Sequence, residues 1–106
     1  MRKLFFVLAL SLAIPAHAEF KDGNKLYAQM QGSNLEQMIA LGYITGVADA
    51  LNGVSTCPPS NVTAGQLNDM VLKYLENYPQ TRNFTGDAII QRVLSTVWPC
   101  KKGSSL

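Results

Sequence analysis

Between Thr63 and Pro79 the residues Leu67, Met70, Val71, Tyr74, Leu75 and Tyr78 recur at intervals of three and four. That spacing lines one face of an α-helix. Thr63 heads the run with Gln66 three positions on, the pattern of a capping box, and Pro79 closes it because proline cannot continue a helix. The same punctuation recurs along the chain. "GNKLYAQMQ" carries Leu26, Tyr27 and Met30 at helical spacing and stops at Gly32. Ser33 or Asn34 then caps a longer helix reaching about Leu51, where Asn52-Gly53 ends it. After the loop "VSTCPPSN" and the Thr63 helix comes a last one, capped by Thr85, with Ile89, Ile90, Val93, Leu94 and Val97 on one broad face and Pro99-Cys100 at its end. No stretch alternates with period two for long enough to argue for a strand. The expectation is an all-α fold, a small four-helix domain stapled by one disulfide.

The staple follows from the start of the chain. "MRKLFFVLALSLAIPAHA" combines Arg2 and Lys3, an apolar run from Leu4 to Ile14 and an A-x-A site ending at Ala18. This is the form of a secretory signal peptide, and its apolar run is shorter than the roughly 18 to 20 residues a membrane-spanning helix needs. Cleavage after Ala18 leaves Glu19–Leu106 as one domain, and the exported location is read as the periplasm. An oxidising compartment favours pairing of Cys57 with Cys100, and a bridge closing a loop of about forty residues is worth about 4 kcal/mol in the chain-entropy model.

Loss of Arg2 and Lys3 also leaves seven basic residues against seven acidic ones. A neutral surface gives no reason to expect nucleic acid or an anionic membrane as partner. The one histidine, His17, departs with the leader, which removes Ser/His and Cys/His catalysis. Two distant thiols do not make a metal site, so no cofactor and no metal are expected. Asn61-Val62-Thr63 and Asn83-Phe84-Thr85 match the N-glycosylation pattern, but in each the Thr stands where a helix cap belongs.

The segment "GYITGVADAL" is harder to place. On a helical wheel Gly42, Gly46, Asp49 and Gly53 fall with Leu35, Met38 and Ile39, while Ile44, Val47, Ala48 and Leu51 fall opposite. A helix apolar nearly all round is either central or covered on its second face by another subunit. Each glycine costs roughly 1 kcal/mol against alanine in a helix, so the pair implies close packing on the glycine side. Gly46→Leu should then overpack it. Asp49 is read as a partly buried carboxylate held by an amide, a hydroxyl, Lys73 or Arg92, in preference to a catalytic acid without a second carboxylate. The surplus of apolar surface predicts a homodimer.

"FKDGNKLYAQM", "LGYITGVADAL", "CPPSNVTAGQLNDMVLKYLENYPQTRN" and "VWPC" together resemble the Rap/Tai-type family of type VI secretion amidase immunity proteins. The ordered motifs D-G-N, G-Y-I-x-G-V-x-D, C-x-P, Y-L-E-x-x-P and P-C carry the likeness over nearly the whole chain after the leader. It implies a small, helical periplasmic protein that is not an enzyme and that binds and occludes a peptidoglycan-cleaving amidase toxin. The resemblance also points to a dimer. The family often has a cysteine where Ala40 stands and another near the position of Met30, so one bridge is absent here.

An occluding protein needs an exposed segment that enters a substrate groove. The candidate is Asn77, Tyr78, Pro79, Gln80, Thr81, Arg82 and Asn83: Pro79 stiffens it, helices fix both ends, and Tyr78 and Arg82 are residue types favoured as interface anchors. Arg82 suits a cleft that binds peptide carbonyls and carboxylates, whereas Tyr78 is equally placed to be the last core residue of its helix. The exposed side of the first helix, around Lys25 and Gln29, is the next candidate. From another class, a small helical chaperone of the acid-stress type would fit the size, but seven carboxylates are few for acid-driven dissociation.

Overall fold

The computed structural model describes residues 20–101; the leader, its cleavage site and the last five residues lie outside them. Four α-helices are present, α1 (Gly23–Met30), α2 (Asn34–Leu51), α3 (Ala64–Asn77) and α4 (Gly86–Val97), with a 3-10 turn at Pro79–Thr81. No strand occurs among the described residues.

Local chemistry sets most of the boundaries. The Asp22 side chain accepts from the Lys25 N–H at 2.9 Å to open α1. Ser33 and Glu36 form a full capping box at the start of α2, as Thr63 and Gln66 do for α3. Past α2 the chain reverses at Gly53, which has φ +81 and donates to the Thr56 carbonyl at 2.7 Å; that left-handed conformation favours glycine. At α4, by contrast, Thr85 occupies the cap position without a side-chain bond. Its orphan amides are met from elsewhere in the fold: Gly86 N–H donates to the Lys21 carbonyl at 2.7 Å, and Asp87 N–H bonds the Tyr43 hydroxyl.

The core draws Leu26 and Met30 from α1, Ala40, Ile44 and Ala48 from α2, Leu67, Val71 and Leu75 from α3, and Ile89, Ile90, Val93 and Leu94 from α4. Met30 and Ala40 are both inside it. Cys57 and Cys100 are bonded, with Cα atoms 4.9 Å apart. Beside the bridge, Cys57 N–H donates to the Trp98 carbonyl at 2.8 Å, and Thr56 pairs with Pro99. The loop after α2 is thereby clamped to the end of α4.

Two expectations about α2 are corrected. Its glycine side is not close-packed within the chain: a Cβ at Gly42 or Gly46 would meet nothing within 4 Å. The inward stripe is the opposite one: Ala40, Ile44 and Ala48 are buried, and the small Ala40 and Ala48 on either side of Ile44 let α1, α3 and α4 approach together. Gly46→Leu therefore meets open space in the single chain rather than overpacking it. Asp49, on the same outer side, is exposed rather than partly buried.

Candidate functional site

The segment Asn77–Asn83 joins α3 to α4 and is built as a hydrogen-bonded turn. Tyr78 ends α3, its N–H donating to the Tyr74 carbonyl at 3.0 Å. Pro79, which lacks an N–H to lose, starts the 3-10 turn. The Tyr78 carbonyl then accepts from the Thr81 N–H at 3.0 Å and from the Thr81 hydroxyl at 2.8 Å. Arg82 N–H closes onto the Pro79 carbonyl at 3.2 Å.

The far side of the turn is tied to α1. Asn24 N–H donates to the Arg82 carbonyl at 2.8 Å, and Gly23 N–H to the Phe84 carbonyl at 2.9 Å. These bonds satisfy two of the orphan amides at the start of α1 and fix the turn. The approach is tight enough to demand glycine, since a Cβ at Gly23 would lie 2.8 Å from the Arg82 Cα and 2.5 Å from Ile89 Cδ1.

Arg82 does not present its head group as a free anchor. Its Nε donates to the Leu75 carbonyl at 2.7 Å, a carbonyl freed by the end of α3, and its guanidinium lies 4.0 Å from the centroid of the Tyr27 ring. A charge-assisted hydrogen bond and a cation–π contact together make it a brace between α1, α3 and the turn. Sequence spacing placed it correctly in the segment, but nothing local could show that Tyr27 lies beneath it.

Outward from the same turn stand Asn77, Tyr78, Pro79, Gln80 and Asn83, while Thr81 is half-buried with Arg82. Tyr78 is 46% exposed, with its ring 4.8 Å from that of Tyr74, so it is only partly a core residue. It also borders an apolar groove of about 340 Å³ between α3 and α4, lined by Met70, Tyr74, Val93 and Val97 with Lys73 at the rim. Phe84, outside the candidate segment, is 57% exposed and adds a second aromatic surface. Its place just before a helix cap suggests a staple folded onto the helix; the exposure was not legible from that pattern.

Lys21 and Tyr43 steady the neighbouring start of α4. The Lys21 ammonium sits 4.6 Å from the Tyr43 ring centroid and donates to the Gln29 side chain. Gln29 is thereby half-buried rather than a free surface contact. Desolvation by burial, with a smaller push from Lys25, lowers the Lys21 pKa. Burial and the Asp87 charge raise that of Tyr43, against the opposing effect of the Asp87 N–H.

Among the described residues no three His, Cys, Asp or Glu side chains cluster as metal ligands, and no helix is long and apolar enough to cross a membrane. The arrangement offers a braced, solvent-facing turn with aromatic and amide groups, suited to contact with another protein. A search of curated proteins finds no match. The family model for Rap1a immunity proteins matches residues 22–100, from the Asp22 cap of α1 to the bridging Cys100, and the chain belongs to that family.

Proposed function

We propose that this protein is a periplasmic, non-enzymatic immunity protein, acting as a homodimer, that blocks a peptidoglycan amidase delivered by type VI secretion. The turn Asn77–Asn83 enters the amidase cleft and excludes its substrate. Family membership supports the immunity role. The observation that carries the choice of turn is its bracing: backbone bonds to Gly23 and Asn24 and the Arg82 side chain hold it before any partner arrives. A preorganised loop loses little conformational entropy on binding, which favours a tight inhibitor.

Tyr78 is the contact to test, because its truncation leaves the brace intact. Tyr78→Ala should weaken binding of the cognate peptidoglycan amidase by roughly 2 kcal/mol or more, the scale of an interface hot spot. Calorimetry on the mixed proteins, with circular dichroism on the variant, measures this. Arg82→Ala would weaken binding as well, but by loosening the turn, so helicity and melting must shift with it. Wild-type affinity in both variants would place the inhibitory contact elsewhere.

A further inference from the structure

Asn52 and Gly53 close α2, and both are exposed. They form the only Asn-Gly pair in the chain. In an open chain that pair deamidates more readily than other asparagine pairs, because glycine carries no side chain to hinder attack of its own nitrogen on the asparagine amide. The folded turn blocks this attack in two ways. Ring closure needs the Gly53 nitrogen on the Cβ side of the Asn52 Cα–C bond, which takes a strongly negative ψ, whereas Asn52 has ψ 122. The attacking N–H must also give up its proton, and it is committed to the Thr56 carbonyl at 2.7 Å.

Thr56 is held in place from the far end of the chain. It pairs with Pro99, its neighbour Cys57 donates to the Trp98 carbonyl at 2.8 Å, and the Cys57–Cys100 bridge lies directly beyond. The local bonds of the turn are weaker. Val54, Ser55 and Thr56 N–H groups all share the Leu51 carbonyl, at 2.9, 3.1 and 3.2 Å, and a carbonyl oxygen has only two lone pairs to offer. The Ser55 and Thr56 hydroxyls are buried and make no hydrogen bond among the described residues. The clamp to α4 therefore decides whether the turn stays shut.

We infer that Asn52 is a latent deamidation site and that the Cys57–Cys100 bridge is its latch. Before the bridge has formed, or once a dithiol has reduced it to two thiols and become a disulfide itself, the loop leaves α4 and Thr56 releases the Gly53 N–H. The Gly53 nitrogen then loses its proton and bonds to Asn52 Cγ. The bond from Cγ to the side-chain nitrogen breaks, and ammonia leaves with a proton. Water opens the succinimide at either carbonyl, giving aspartate or isoaspartate. Neither product restores the turn. Each sets a new carboxylate one helical turn from Asp49 at the negative end of α2, and isoaspartate adds a methylene to the main chain. A chain that has reacted closes its clamp less firmly, so the site records time spent without the bridge.

The test follows the folded chain at mildly alkaline pH in three states: bridge closed, bridge reduced with dithiothreitol, and Cys57→Ser with Cys100→Ser without reductant. Peptide mapping by mass spectrometry reads the replacement of NH₂ by OH at Asn52, and isoaspartyl methyltransferase labelling reads the isoaspartate share. Because reaction passes through the open form, both bridge-free states should deamidate at Asn52 at least about tenfold faster than the closed one. Equal rates in all three states, fast or slow, would overturn the latch. Hydrogen exchange on the bridge-free chains separates local opening from unfolding: Gly53 N–H should lose protection while Ile90, buried in α4, keeps its own. Joint loss of protection at Gly53 and Ile90 would overturn the local device, and a fast reaction at another asparagine with Asn52 intact would overturn the site.

Discussion

Gly23 and Gly46 both sit in helices, yet the structure treats them in opposite ways. At Gly23 the backbone of the 77–83 turn and the Ile89 side chain leave no room for a Cβ. At Gly46 the same test finds open space. The first glycine is required by the fold of the single chain, because two backbone segments hydrogen-bond across it. The second gives the single chain nothing and costs it helix propensity. What its absence of side chain leaves is a smooth patch on an apolar outer face. A glycine in a helix thus has meaning only with its neighbours in view: one marks an internal junction, the other a surface.

Three substitutions probe that contrast. The largest effect belongs to the staple, which sets the scale. Cys57→Ala with Cys100→Ala should lower stability by about 4 kcal/mol, read from urea unfolding, because it frees a long loop in the unfolded chain. It acts chiefly on the unfolded chain, so the relative order of the next two variants should persist in that background. Gly23→Ala comes next, with a loss of about 1–3 kcal/mol as the turn and Ile89 are pushed aside. Hydrogen exchange at Asn24 N–H, which bonds the Arg82 carbonyl, should accelerate along with it. A silent Gly23→Ala would erase the contrast.

The smallest effect has the opposite sign. Gly46→Ala, followed at a concentration where chains are single, should raise stability by up to about 1 kcal/mol through helix propensity alone. Destabilisation of the isolated chain would mean that the outer face is packed after all.

The braced turn illustrates how far reading outward from local patterns carries. Pro79, the end of α3 and the cap of α4 made a fixed turn evident in the sequence, and Asn77, Tyr78, Gln80 and Asn83 are indeed turned to solvent. Arg82 looked like the sharpest contact of the set. Its guanidinium instead lies on Tyr27, more than fifty positions away in sequence, and its Nε is held by Leu75. Phe84 stands exposed where the cap pattern would fold it inward. Each difference arises from a contact between elements that no period or motif encodes.

By itself the sequence determined the helices, because their ends are set by chemistry within three or four residues: the capping boxes of Ser33 and Thr63, the left-handed Gly53, the break at Pro79. It also determined the bridge, since the sequence has only two cysteines. Which side of α2 faces inward was left open, because a helix apolar all round carries no preferred direction. Tertiary packing decided it through size. Three neighbours converge on α2, and Ala40 and Ala48, flanking the buried Ile44, admit them where Leu35, Met38 and Ile39 together would hold them apart.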